Sequence, residues 1–212
     1  MMSTSLSGDD AVTPRASRAH LDRMLEQLID HPEREAEITR VIGETFGQDK
    51  AVMVLDMSGF SRTTHELGIV PFLSMIHRMR RLAVPCVEAA RGQLLKAEAD
   101  NLFCLFETVD AAVDAARQIV ERLNAANTDV PEERRLYASI GIGYGRLLNI
   151  EGHDVFGDEV NLASKLGEDI GERGEVLLTA RAREQVRRPS VALRERSVSV
   201  SGLTLSFYRV LE

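Results

Sequence analysis

Apolar residues recur at helical spacing from Ser17 onward, as Leu21, Met24, Leu25 and Leu28, stop near His31-Pro32, and resume as Ile38, Val41, Ile42 and Phe46 before Gly47. The pattern predicts two helices, a packing arm or a dimerisation hairpin. After Asp49-Lys50 the period changes, and the unbroken run Ala51 to Leu55 predicts a strand buried on both faces, closed by Asp56 and a Ser58-Gly59 turn. Phe72, Met75, Ile76, Met79 and Leu82 mark one face of a long helix that Pro85 is expected to kink. Two strands follow, Gln93 to Lys96 and Asn101 to Phe106, with a polar tip at Ala97-Glu98-Ala99-Asp100 that reads as a hairpin. Val109, Ala112, Val113, Ala116, Ile119, Val120 and Leu123 predict a second helix, and Tyr137 to Tyr144 a further strand. A short helix after Asp158, a strand at Glu175 to Leu178, a helix after Thr179 and a terminal hairpin turning at Ser201-Gly202 complete the chain.

The order strand, helix, strand, strand, helix, strand predicts an α+β chain with a ferredoxin-like βαββαβ core, additional C-terminal helices and a hairpin, and a helical arm in front. Residues 1–16, rich in Ser, Thr, Gly, Asp and Ala, carry too little apolar surface to offset ordering entropy and are expected to be a disordered tail. The arm then spans 17–48 and the main domain 49–212. In this topology the first and third strands are antiparallel neighbours, so Asp56, closing the first, should meet Asp100, opening the third.

Composition narrows the function. The 212 residues carry 33 acidic against 26 basic side chains, a net charge of -7, which offers no field for sequence-independent binding to nucleic acid or to an anionic membrane. Two cysteines without metal-ligand spacing make no disulfide framework, and no apolar run approaches a membrane span, so a cytoplasmic location is expected. His65, His77 and His153 lack paired spacing and are read as surface or hydrogen-bonded residues. The basic cluster Arg78, Arg80 and Arg81 is read as a solvated face or an interface.

Two carboxylates brought to one sheet edge repel and raise each other's pKa, so a cation should sit between them. Oxygen ligands select Mg²⁺ or Mn²⁺, and a pair of such ions suits in-line phosphoryl displacement. A second constellation is Asp154, Gly157, Asn161 and Lys165. With Asp158 as the expected cap, Asn161 and Lys165 share one helix face, an amide and a cation available to developing charge.

Three stretches resemble the class III adenylate/guanylate cyclase catalytic domain: Val54-Leu55-Asp56-Met57-Ser58-Gly59-Phe60-Ser61, Lys96-Ala97-Glu98-Ala99-Asp100, and Asp154 to Leu166, in the same order and at suitable separations. The resemblance covers roughly Lys50 to the C-terminus. It implies that Asp56 and Asp100 bind two metal ions per site, with the Met57 carbonyl as an extra ligand, and that Gly59 and Phe60 lie against substrate. It implies that Lys96 and Asp154 select the base. Adenine offers N1 as acceptor and the N6 amine as donor, which a Lys donor and an Asp acceptor complement, so ATP is the expected substrate and 3′,5′-cyclic AMP and pyrophosphate the products. Asn161 would orient the ribose, and Lys165 takes the place of the family's transition-state arginine. The site would form between two copies packed head to tail, making the chain a homodimer, with a regulatory partner acting through the arm.

Four departures from the family pattern bear on turnover. Lys165 lacks the planar fork of arginine, Ala99 replaces a glycine, Glu98 adds a negative charge, and Ser201 stands where the family has a phosphate-binding lysine. The alternative reading is therefore a catalytically weak or inactive nucleotide-binding regulatory or dimerisation module on the same fold. Diguanylate cyclases share the sheet topology, but their Gly-Gly-Asp/Glu-Glu-Phe hairpin is replaced here by Ala-Glu-Ala-Asp-Asn.

Overall fold

A computed structural model describes residues 16–57, 68–200 and 203–211. The chain opens with helix α1 (Arg18–Asp30), a 3₁₀ turn and helix α2 (Glu35–Phe46). Strand β1 (Gly47–Met57) follows without a loop, then α3 (Ile69–Ala89), β2 (Gln93–Glu98), β3 (Asn101–Phe106), α4 (Val109–Ala126) and β4 (Ala138–Ile150). The remainder is β5 (Asp154–Phe156), α5 (Asp158–Ser164), a π-helical turn Lys165–Ile170, β6 (Val176–Thr179), α6 (Ala180–Glu184), β7 (Leu193–Val200) and β8 (Leu203–Val210).

The sheet runs β2-β3-β1-β4-β6-β8-β7, with β5 added alongside β4. β1 lies antiparallel to β3, from Ala51↔Phe106 to Leu55↔Leu102, and antiparallel to β4 along its whole length. The βαββαβ core expected from the element order is therefore present. Its inner strand is as apolar as its sequence, for Ala51 to Leu55 are all fully buried. Strand alternation sends Met53, Leu55 and Met57 to one face, where α3 and α4 cover them, and Val52 and Val54 to the other, against Val160 and Ala163 of α5. Asp56 continues the Val52-Val54 series and so faces the α5 side.

Several boundaries differ from the sequence expectation. β1 starts at Gly47 rather than Ala51, because Gly47 to Lys50 pair with Gly145 to Leu148 on an extended β4 even though their side chains are polar. Pro85 lies inside α3, which continues to Ala89. The three-residue β5 has too short a pattern to be read from sequence, yet it carries Asp154. The arm is packed against the sheet: Leu21, Met24, Ile38, Ile42 and Phe46 form a small core with Ile150 at the end of β4. Arg146 fixes it from the strand side, donating to the Gly43 carbonyl at 2.8 Å and pairing with Asp49 at 3.2 Å. Among the described residues no helix is long and apolar enough to cross a membrane.

Candidate functional site

The antiparallel register of β1 and β3 places Asp56 one step beyond the Leu55↔Leu102 pair, beside the two-residue Ala99-Asp100 turn between β2 and β3. Both carboxyls titrate above the ordinary range. Burial, with the charges of Asp100, Glu168 and Asp169 adding to it, raises Asp56 to about 7. Burial likewise raises Asp100. Neither has an ion-pair partner among the described residues. The buried Met57 ends β1 directly after Asp56.

Oxygen donors of this kind fit a hard divalent cation, and the raised pKa values report a site short of positive charge. Among the described residues no group of three or more His, Cys, Asp or Glu side chains could hold a metal by itself.

The second group assembles around β5. Lys96 Nζ lies 3.1 Å from Asp154 Oδ1 and 3.1 Å from Glu98 Oε1, with the Phe103 ring centroid 4.7 Å away. Burial works against the Lys96 ammonium, but its hydrogen bonds to Asp154 and Glu98 outweigh that effect and hold its pKa above the usual lysine value. Asp154 Oδ1 also accepts from the Val155 amide at 2.9 Å, which fixes the carboxylate plane. The pair is thus preformed, a donor and an acceptor side by side, each about three-quarters buried at 25% and 29% exposure.

Helix α5 and the first residue of the π turn that continues it present Asn161 and Lys165. Asp158 does not cap it. The N-cap position is Gly157, whose carbonyl accepts from the Val160 and Asn161 amides at 3.1 Å each, and Asp158 is the first helical residue, where its charge complements the helix dipole. The Lys165 amide bonds the Asn161 carbonyl, so the two residues do share a face, as their spacing predicts. Asn161 is exposed. The Lys165 ammonium, however, pairs with Asp169 one turn on.

Close packing brings this segment to the site. A Cβ at Gly141 would lie 2.0 Å from the Ala163 carbonyl oxygen, and one at Gly167 would lie 2.9 Å from that of Val54, so both must be glycine for α5 and its π turn to rest directly on β1 and β4. Ser139 Oγ donates to the Gly167 carbonyl at 2.7 Å. From below, the buried Glu159 accepts from the Tyr144 amide at 3.1 Å and from Thr179 Oγ1 at 2.6 Å, tying α5 to β4 and β6.

Sequence reasoning missed four contributors. Glu168 and Asp169 add negative charge near Asp56, and Glu168 itself is raised by burial and by its acidic neighbours Asp169, Asp100 and Glu98. The i, i+4 spacing of Lys165 and Asp169 was the available signal. Arg18 of the arm reaches Asp154 Oδ2 at 3.6 Å, a contact that no local pattern encodes. Buried Glu159 likewise looked like one more surface acid of a polar helix. Ser58, Gly59, Phe60, His65, Ser201 and Gly202 lie outside the described residues.

Known proteins resemble the chain at this level. It is 27% identical over 136 residues to putative adenylate cyclase 3 of Rhizobium meliloti (64% of this chain, 23% of that protein). It is 31% identical over 138 residues to an adenylate cyclase of Streptomyces coelicolor (65% of this chain, 34% of that protein). The chain therefore spans only a quarter to a third of these curated relatives. The crystal structure of an adenylate/guanylate cyclase/hydrolase from Silicibacter pomeroyi aligns over 78% of this chain and 98% of that one, with a TM-score of 0.66 and 26% identity. No protein-family model matches. The likeness to class III adenylate/guanylate cyclase catalytic domains read from the three motifs holds in both sequence relatives and fold.

Proposed function

We propose that this chain is an adenylate cyclase, with residues 49–212 as its catalytic unit and the helical arm as a packed accessory. The observation that carries the reading is the preformed Lys96-Asp154 pair on the same sheet as two raised carboxyls that have no ion-pair partner among the described residues. Lys96 donates to adenine N1, and Asp154 accepts from the N6 amine. Guanine inverts both demands, which leaves a buried donor facing a donor.

In the reaction the ribose 3′ oxygen attacks the α-phosphorus, the bond from that phosphorus to the bridging oxygen breaks, and pyrophosphate departs while the 3′ hydroxyl gives its proton to water. Asp56, Asp100 and the Met57 carbonyl would hold Mg²⁺ or Mn²⁺, which would supply positive charge to acidify the hydroxyl and balance the triphosphate. Asn161 orients the ribose. Lys165 faces charge developing on the phosphate, after exchanging Asp169 for it. Neither cation of this machinery is paired with Asp56 or Asp100 within one chain, which supports a head-to-tail homodimer in which one copy supplies the aspartates and the other supplies Lys96, Asp154, Asn161 and Lys165.

The test is direct. Purified protein incubated with ATP or GTP and Mn²⁺ or Mg²⁺ should yield cyclic AMP, and Asp56→Asn should abolish it. Nucleotide binding without metal-dependent product at high protein concentration would instead establish the second reading, a binding module. The tie between Lys165 and Asp169 is the observation that favours it.

A further inference from the structure

The turn that carries Asp100 is strained where it need not be. Glu98 and Asn101 pair across the β2–β3 ladder, which leaves a two-residue loop, Ala99-Asp100. Ala99 has φ of 48°, in the left-handed region. Side chains with a Cβ resist that region, and glycine enters it freely. Two-residue hairpins place glycine, asparagine or aspartate at positive-φ positions for this reason, and alanine brings no side-chain hydrogen bond to compensate. Something outside the loop must therefore hold it.

Arg80 does so from α3. Its Nη2 donates to the Ala99 carbonyl at 2.6 Å. The guanidinium stem is committed to this one contact, for Arg80 Nε is buried without a hydrogen-bond partner, a cost with no return elsewhere among the described residues. Arg80 follows Met79, which is fully buried against the sheet, so its backbone is anchored and its reach fixed.

We infer that Arg80 is a positioning residue for the site: by clamping the carbonyl of Ala99 it fixes the turn conformation that presents the neighbouring Asp100 beside Asp56. The inference rests on the proposed role of Asp100 as a cation ligand. The contact Arg80 makes is with the backbone of Ala99, so it acts through the residue adjacent to Asp100. It also accounts for how this chain accommodates alanine at a position where the resembling family has glycine.

The clamp and the glycine are alternative solutions to one conformational problem, so their effects should not add. The experiment compares wild type, Arg80→Met, Ala99→Gly and the double variant by two readouts in the full chain. The first is Mn²⁺ affinity by calorimetry; the second is hydrogen exchange of the amides of residues 98–102 without metal. Arg80→Met should weaken Mn²⁺ binding roughly tenfold, the worth of one charged hydrogen bond, and speed exchange at the turn. Ala99→Gly alone should change affinity less than about twofold, and in the double variant should restore it to within about threefold of wild type, as the loss of αL strain predicts. Unchanged affinity and exchange in Arg80→Met would overturn the inference, and so would a loss that Ala99→Gly fails to rescue. Asp100→Asn separates the two layers. If it binds Mn²⁺ as wild type does, the ligand role of Asp100 fails and the positioning role falls with it, while faster exchange in Arg80→Met would still identify the clamp as the turn's mechanical support.

Discussion

Asp56→Asn should make the metal-free protein more stable while removing its activity. The carboxyl of Asp56 rises from its ordinary 3.8 to about 7, because burial and the neighbouring charges of Asp100, Glu168 and Asp169 disfavour the ionised form. The sign follows from proton binding. Between these two pH values the folded protein holds a proton that the unfolded chain has released, so stability falls as pH rises through this window, and the whole penalty is present above pH 7. At about 1.4 kcal/mol per pH unit the ceiling is about 4 kcal/mol. The carboxyl is only half-buried, and solvent screening reduces the figure to about 2 kcal/mol.

An amide of the same shape carries no charge to desolvate or repel. Urea unfolding with a chelator present should therefore show Asp56→Asn more stable by about 2 kcal/mol at pH 8, or roughly 4–8 °C in Tm for a chain of this size. At pH 5 only about a third of the window has been crossed, and the gain should shrink to less than about 1 kcal/mol. Saturating Mn²⁺ should reverse the order, since a cation rewards the ionised carboxylate and stabilises wild type selectively. A variant that is less stable than wild type at pH 8, or whose gain is the same at pH 5 and pH 8, would refute the electrostatic account.

Three further outcomes follow from the geometry. Lys96→Glu should lower kcat/KM for ATP by roughly 10²-fold or more and shift the ATP-to-GTP ratio toward GTP, measured by cyclic nucleotide product, because a carboxylate offers N1 of adenine no proton. Lys165→Arg should raise kcat by up to about tenfold by supplying a bidentate fork, and Asp169→Asn should raise it in the same direction by releasing the ammonium; unchanged kcat in both would place Lys165 outside the reaction. Glu159→Ala should destabilise the fold by about 2–4 kcal/mol in denaturant unfolding, since it strips the Thr179 hydroxyl and the Tyr144 amide of their acceptor and leaves a cavity under α5.

What could be read from the sequence divides along local and non-local lines. The apolar run Ala51 to Leu55 and the stripe of α4 are periodic, and periodicity alone identified them. The polar start of β1 was hidden because Gly47 to Lys50 are strand only by virtue of pairing with Gly145 to Leu148. The meeting of Asp56 and Asp100 was legible because an antiparallel register converts chain order into position. That Lys165 is held by Asp169, that Arg18 reaches Asp154, and that Ala99 is left-handed under an arginine clamp depend on rotamers and packing that no linear pattern carries.

The two ends of the site are prepared in opposite ways, and this bears on how it would work. Around β5 opposite charges are matched: Lys96 lies between Asp154 and Glu98, and Arg18 stands over the far oxygen of Asp154. A base entering there meets groups already oriented, and loses little to reorganisation. Around Asp56 the neighbouring charges of Asp100, Glu168 and Asp169 raise its carboxyl, and the Lys165 ammonium is taken up by Asp169. On the proposed function that end would be completed by cations, since Asp56, Asp100 and Glu168 would repel a triphosphate until their charge is offset. On that reading, recognition of the base would be built into the fold, whereas the phosphate end would be assembled only with metal and nucleotide together. A free triphosphate would be repelled, a metal-bound one attracted, and the acidity that weakens the empty protein is the same feature that makes the site selective for the charged complex.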